Sequence, residues 1–297
     1  MSWCPCKRAW SMAMVLTLPL SMTFAQDEVV AEKDRRPVRN TFESIWLMDY
    51  QSVDVPIKGT FEMDFQHRFG TWDNGYDDFF GVFAPSNMRI GFDYVPVGNV
   101  LVGFGLTKHD LIWDVHGKYA FLRQGREAGS PVSASYYVNV ALDTRKDVKT
   151  NFSESTDRWS FFHQVMVARK FTNSLSVQLV GNLSWFNFKD PVFDVEGVHL
   201  GRDENAHISA GAMARYKLTN TIGITAAYEF PITDQRFMDP EPNLSFGIEL
   251  VSSSHAFQIF IGNYNHLLPQ YNSSFNDHSF GDNEILFGFN MTRLWNF

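Results

Sequence analysis

The chain has 297 residues, with 25 lysine and arginine residues against 33 aspartate and glutamate residues, which is a formal net charge of -8 at pH 7. This acidic balance argues against nucleic acid as a partner, because nucleic-acid-binding surfaces neutralise phosphates with lysine and arginine. Aromatic residues make up 15% of the chain although its mean hydropathy is slightly negative. Alternating apolar and polar residues would produce that combination.

The first segment is organised like a secretory signal peptide, which we predict to be residues 1–25. Lys7 and Arg8 precede an apolar stretch over residues 9–20, and Thr23-Phe24-Ala25 forms a small-x-small cleavage pattern. The apolar stretch is shorter than the roughly 20 residues that a membrane-spanning helix needs, and no later stretch is long enough either. The sequence therefore predicts export and no transmembrane helix.

The next segment, residues 26–58, lacks strand periodicity and is predicted to be an N-terminal periplasmic lead-in. Residues 27–39 are rich in charge, which favours a flexible chain. Thr41 is a possible helix N-cap before the apolar residues 45–48, so a short helix fits here. The sequence leaves three locations open for this segment: the periplasm, the membrane interface, or a small plug.

From residue 59 onward the sequence alternates in a period of two, which is typical of strands. Phe61, Met63 and Phe65 alternate with Glu62 and Asp64, so one face is apolar and the other polar. We count about 12 candidate strands in a barrel domain over residues 59–297. They are 61–69, 87–94, 100–106, 113–121, 132–143, 158–170, 175–188, 205–217, 221–230, 243–251, 256–263 and 284–297.

The connections between these strands alternate in length. Five of the six connections that precede the even-numbered strands are long, and the connections between them are mostly short turns. Membrane barrels have short periplasmic turns and longer extracellular loops, whereas a soluble sandwich has no reason to keep this alternation. The predicted fold is all-β, a single antiparallel transmembrane β-barrel in the outer membrane of a Gram-negative bacterium.

The last predicted strand carries apolar residues of one parity, interrupted only by Arg293. This pattern resembles the C-terminal signal that the outer-membrane barrel-assembly machinery recognises. The alternative is an amphipathic strand at the end of a soluble β-protein. We therefore expect outer-membrane lipid and the barrel-assembly machinery as partners. The predicted signal residues are Phe289, Met291, Trp295 and Phe297.

Three stretches resemble a known family. Residues 59–71 (GTFEMDFQHRFGT), 87–108 (NMRIGFDYVPVGNVLVGFGLTK) and 117–124 (GKYAFLRQ) are similar to an uncharacterised family of predicted outer-membrane β-barrel proteins of Gram-negative bacteria. The resemblance extends over most of the mature chain. It implies a barrel fold and outer-membrane placement, and it supplies no reaction and no ligand.

Charged residues of both signs have the parity that we predict to face the lumen. An ion-selective pore tends to show one dominant sign near its constriction. Mixed signs instead predict an interior of hydrogen bonds and salt bridges that is narrow or partly plugged, because buried charges need partners. A conduit for a small polar solute is the functional hypothesis. The predicted network residues are Glu62, Asp64, Arg68, Arg89, Asp93, Lys118, Arg215, Glu229, Glu249 and Glu284.

His207 and Ser209 lie two residues apart on one predicted strand, a spacing found in outer-membrane phospholipases on the lipid-facing side. Here the parity of their neighbours points both inward, so the match fails and we predict no catalytic residue. The mature chain also lacks the ligand spacing of a zinc site and a phosphate-binding loop, so neither metal nor cofactor is predicted.

Three functional hypotheses follow from the sequence. The first is a non-enzymatic outer-membrane barrel, either a narrow or partly plugged channel or a binding or structural barrel, for an unknown small solute. The second is an outer-membrane barrel enzyme that acts on lipid or an envelope polymer. The third is a soluble secreted β-barrel that binds an apolar ligand.

Overall fold

The computed structural model describes residues 33–146 and 152–297, so the predicted signal peptide lies outside the described residues. The helix α1 spans Pro269–Phe275, and short 3-10 turns lie at Gly75–Asp78, His109–Leu111 and Ser155–Arg158. In chain order, the strands are β1 (Trp46–Leu47), β2 (Tyr50–Gln51), β3 (Thr60–Thr71), β4 (Asn87–Val97), β5 (Val100–Thr107), β6 (Ile112–Leu122), β7 (Ser133–Leu142), β8 (Trp159–Lys170), β9 (Leu175–Phe186), β10 (Val192–Phe193), β11 (His199–Gly201), β12 (Ala206–Lys217), β13 (Ile222–Pro231), β14 (Asn243–Val251), β15 (His255–Gly262) and β16 (Leu286–Asn296).

Twelve of the strands in the described residues form one closed barrel, which runs from β3 to β9 and then from β12 to β16. Every neighbouring pair is antiparallel, and β16 returns to pair with β3, so that Met291 lies opposite Phe65. Closure removes the exposed strand edges that an open sheet would present. The predicted antiparallel barrel of about 12 strands is confirmed.

Inward and outward residues alternate along each barrel strand, as the period of two requires. On β3 the side chains of Glu62 and Asp64 are buried in the lumen, whereas those of Phe61 and Met63 lie on the outer surface. Aromatic side chains mark both ends of this outer surface. They include Tyr94, Tyr119, Tyr216 and Trp295 at the end where β3 begins and β16 ends, and Trp113, Trp159, Trp185 and Tyr228 at the opposite end.

The barrel connections alternate in length as predicted. At the end of the barrel where β3 begins and β16 ends, β4 and β5 are joined by Gly98 and Asn99 alone, and only the connection over residues 123–132 is longer than a tight turn. At the opposite end the connections include the long loops 143–158 and 263–285. We call these two ends of the barrel the terminus end and the loop end.

Residues 41–55, which we call the plug, lie inside the barrel. Strands β1 and β2 form a small hairpin there, with Trp46 opposite Gln51 and a left-handed backbone at Met48. Eight apolar side chains of the plug are buried. They are Phe42, Ile45, Trp46, Leu47, Met48, Tyr50, Val53 and Val55.

The short helix predicted at the start of the plug is wrong, and so is a periplasmic location for residues 41–55. The N–H group of Met48 donates to Gln258 on the wall, and the carbonyl of Trp46 accepts a hydrogen bond from the same side chain. These contacts satisfy the backbone groups that a helix would have paired internally. Of the three locations left open by the sequence, this part of the segment occupies that of a plug.

The loop between β15 and β16 fills the lumen from the loop end. It carries α1, which begins with Pro269 at its first turn and packs against β8, β9, β12 and β13. Gln270 and Ser273 of the helix are buried among lumenal side chains. No helix in the described part of the chain is both long and apolar enough to cross a membrane.

Candidate functional site

Nine of the ten predicted network residues lie in the lumen, where none is more than 6% exposed. The exception is Glu284, which precedes β16 and accepts a hydrogen bond from the Ser279 N–H group at 2.8 Å. Glu284 lies outside the alternating strand, because the chain turns at Asn283, where φ is 68°, and β16 begins only at Leu286. The nine lumenal residues are Glu62, Asp64, Arg68, Arg89, Asp93, Lys118, Arg215, Glu229 and Glu249.

Arg89 is the centre of a charged cluster on the wall formed by β3 to β6. Its guanidinium contacts Asp64 at 2.9 Å and donates two hydrogen bonds to Asp114, each of 2.9 Å. His116 lies beside it, with Nε2 2.7 Å from Asp93 and Nδ1 3.1 Å from Asp114. Asp114 and His116 were not predicted, although both share the inward parity of Lys118 on β6 and could have been found from it.

Glycine residues on the inward face of β4 and β5 make room for this cluster. A Cβ atom at Gly105 would overlap the guanidinium of Arg89, and one at Gly103 would overlap the His116 ring. The large charged side chains can therefore lie flat against the wall, where a close approach is possible only over a residue without a side chain. The glycines thereby leave the centre of the barrel to the plug.

The wall holds the plug mainly through its backbone. Gln178 accepts the Val53 N–H group and donates to the Gln51 carbonyl, both at 2.7 Å, and Gln258 makes the equivalent pair of bonds with Met48 and Trp46. With Asn290, Lys118 and Ser135, the wall makes seven hydrogen bonds to plug backbone groups. Arg68 adds a buried ion pair with Asp49 of the plug.

The plug also packs on the wall through apolar side chains. Phe42, Met48 and Tyr50 of the plug belong to one buried apolar cluster with wall residues of β7, β8, β9, β12, β13 and β15. The wall members include Tyr137, Phe162, Met166, Val180, Met213 and Phe260. The plug is thus bound by apolar packing as well as by hydrogen bonds and an ion pair.

Near α1, a polar group surrounds Glu229. Its carboxylate accepts hydrogen bonds from Ser209, from Ser273 of α1 at 2.7 Å and from Asn182 at 3.0 Å. His207 faces the lumen as predicted, but its Nδ1 lies 3.0 Å from Thr233. Within the described residues, His207 and Ser209 share no hydrogen bond, so the serine and base of a hydrolytic site are not brought together.

Residues 42–295 match a family described as "Membrane bound beta barrel domain (DUF5777)". The chain belongs to this family. The resemblance predicted from the sequence is confirmed, and the description is that of a membrane-bound barrel, not of a soluble one. The match begins at Phe42, so the family domain includes the plug together with the barrel. Among curated proteins no sequence matches this chain significantly.

Solved structures of barrels resemble this family member in fold alone. The COG4313 outer membrane channel from Pseudomonas putida F1 shares 11% identity at a TM-score of 0.51, with 82% of this chain and 97% of that chain covered. The NanC porin shares 8% sequence identity at a TM-score of 0.47, with 80% of this chain and 99% of that chain covered. The KdgM porin shares 8% sequence identity at a TM-score of 0.43, also with 80% of this chain and 99% of that chain covered.

The loops of this membrane-bound barrel bring two histidines together at the loop end. The ring centroids of His109 and His266 are 5.8 Å apart. Burial, and then the neighbouring His109, lower the pKa of His266 to about 4. The adjacent Asp110 raises the pKa of His109, with its Oδ2 3.1 Å from Nδ1. Protonation of His266 therefore opposes the packing of the 263–285 loop.

We predict that this loop opens more readily as the pH falls from about 6.5 to about 4. The folded-state pKa of His266 lies below the ordinary value, so the stability of the closed loop is lost across that window. His109, whose pKa is raised, is already protonated there and adds little. Hydrogen exchange of the α1 amides, corrected for intrinsic rates, should increase, and a His266→Gln variant should show a weaker dependence. Equal pH dependence in both proteins would contradict the prediction.

Proposed function

We propose that this barrel lies in the outer membrane of a Gram-negative bacterium, with its long loops outside, and that it is a channel for a small polar solute. The channel is closed at rest by the plug and by α1. The observation that carries the proposal is the way the plug is bound, because seven wall hydrogen bonds go to its backbone. Water can replace a backbone partner of this kind when the plug leaves.

The size and lining of the lumen support the proposal. Barrels of eight strands are filled by their own side chains, whereas those of 16 strands leave an aqueous channel. A barrel of 12 strands lies between the two, and here a separate chain segment fills the space. The wall stays hydrated once the plug has left, because its polar groups donate hydrogen bonds to water and accept them from it. These groups are Gln178, Gln258, Asn290 and the Arg89 cluster.

Conductance in planar bilayers tests the proposal. The refolded mature barrel should show almost no open events. A variant without residues 41–55, in which a Gly-Ser linker also replaces residues 269–275, should show discrete conductance steps. Two further variants, one with only the deletion of residues 41–55 and one with only the linker in place of residues 269–275, show whether the plug or α1 closes the channel. A doubly changed barrel that runs as folded on gels, with heat-modifiable mobility, and yet does not conduct would contradict the channel.

We further propose that the last strand directs assembly by the barrel-assembly machinery. Phe289 and Met291 lie on the outer parity of β16, Trp295 packs on Phe61 with ring centroids 5.7 Å apart, and Phe297 is 92% exposed. An exposed terminal aromatic residue supports recognition, because it has little packing to contribute to the barrel. Phe297→Ala should reduce the folded fraction in cells while leaving refolding into detergent unchanged. An equal loss of folded protein in cells and in detergent refolding would indicate that Phe297 has a structural role instead.

A further inference from the structure

A cavity of about 420 Å³ opens at the terminus end between the plug and the barrel wall. Ile45 and Val55 of the plug and Ala120 of β6 form an apolar side of the cavity. Glu62 of β3 lies on a polar side. This volume lies within the range that is typical of sites for small molecules.

Glu62 is an unusual member of the wall. Its side chain is buried at 1% exposure, and neither carboxylate oxygen has a hydrogen-bond partner among the described residues. Directly across the strand pair lies Asp93, whose Oδ2 also lacks a partner in the described part of the chain. Like charges directly opposite one another are destabilising. Asp93 is paired through Oδ1 with His116 at 2.7 Å, so Glu62 is the member of the pair whose carboxylate has no partner among the described residues.

The nearest basic groups are engaged elsewhere. Arg89 is bound by Asp64 and Asp114. The Lys118 ammonium donates to Gln51 Oε1 at 2.9 Å and to the Ser52 carbonyl at 3.0 Å, so it is directed at the plug. Within the described residues, no basic nitrogen lies within 4.0 Å of the Glu62 carboxylate as an ion-pair partner. A buried carboxylate in this state is costly unless a cation or a proton joins it.

We propose that this cavity binds a small primary ammonium solute, with the ammonium group on Glu62 and the alkyl part against Ile45 and Val55. The N–H donors of an ammonium group suit the two oxygens of Glu62, which lack partners among the described residues. A divalent metal ion fits less well, because hard cations take about six oxygen ligands or more and no group of three acidic, histidine or cysteine side chains is arranged for one in the described chain.

The mouth of the cavity carries both signs of charge. Arg39 and Arg123 lie there with Glu43 and Asp54. The Asp54 carboxylate is already occupied, since it accepts the Phe42 N–H group at 2.6 Å. Selection for the ammonium group is therefore assigned to the buried Glu62 and not to the general charge of the rim. The site does not depend on the channel proposal, because binding to the closed barrel is measured at equilibrium.

Calorimetric titration of the refolded barrel in zwitterionic micelles with n-butylammonium tests the site. n-Butanol is the neutral control for the apolar wall. The E62Q variant should bind the ammonium about 10- to 100-fold more weakly, the range that loss of a charge-assisted hydrogen bond predicts. The E43Q variant removes a carboxylate from the rim of the same cavity and should bind within about threefold of the unchanged protein.

Three results would overturn the proposal. They are no binding of n-butylammonium, equal binding of n-butanol, and equal binding by the E62Q variant. Equal weakening by E62Q and E43Q would mean that only general charge is sensed, which also contradicts it. Should E62Q fail to refold, n-butyltrimethylammonium keeps the test open, because it has the charge without N–H donors and should bind at least about 10-fold more weakly to the unchanged barrel.

Discussion

Replacing Arg89 by methionine is expected to lower the free energy of unfolding of the barrel by about 3–5 kcal/mol. Arg89 is fully buried and neutralises Asp64 and Asp114 from the centre of its cluster. Methionine occupies a similar length without charge, so both carboxylates remain buried with too few partners. Urea titration of the protein in lipid vesicles, followed by tryptophan fluorescence, measures the loss.

Two controls separate the missing charge from the missing volume. Arg169→Met changes an exposed arginine on the outer side of β8 and should cost less than about 1 kcal/mol. Combining Arg89→Met with Asp64→Asn and Asp114→Asn should recover much of the lost stability, because an apolar or neutral replacement of a whole buried ion cluster is often tolerated. A triple variant less stable than Arg89→Met alone would contradict this interpretation of the cluster.

Truncating Trp46 to alanine is expected to undock the plug without unfolding the barrel. Trp46 is 1% exposed, packs against Leu101 and Val95 of the wall, and lies under the Arg89 guanidinium at 5.5 Å. Loss of a buried tryptophan costs about 3–5 kcal/mol, which raises the undocked population by roughly two to four orders of magnitude.

A cysteine beneath the plug reports this population. Ser135 is buried and donates a hydrogen bond to the Val53 carbonyl, so Ser135→Cys is covered only while the plug is docked. The chain has two cysteines, Cys4 and Cys6, both in the predicted leader, which leaves a single label site in the mature protein. Trp46→Ala should accelerate maleimide labelling about 100-fold or more, and Trp185→Ala on the outer surface should not. Unchanged labelling in Trp46→Ala would show that the plug does not leave the wall.

The lumenal wall could be predicted in part. Glu62, Asp64, Arg89 and Asp93 were found because alternation within a strand assigns each residue to a face, and this needs only local sequence. His116 follows from the same rule on β6. Gln178, Gln258 and Asn290 were missed, since a neutral amide on an inward face is the ordinary lining of a barrel and its role depends on what lies opposite.

The short helix predicted within the plug was wrong for a related reason. Thr41 before an apolar run is a helix start in isolation, and a two-stranded hairpin of this size has little stability of its own. The hairpin forms because Gln178 and Gln258 bind its backbone, and those contacts join residues 125 and 210 positions apart. Local propensity is a weak preference that such tertiary contacts override.

The sequence by itself therefore determined the barrel, its strand number, the face of each strand and the alternation of short and long connections, because all of these follow from a period of two and from turn residues. The tertiary structure alone decided which segments fill the lumen, how the plug is folded, and that Glu62 is left without a partner among the described residues beside a cavity. Those features depend on which distant side chains meet across the closed barrel, and no pattern within one strand encodes that meeting.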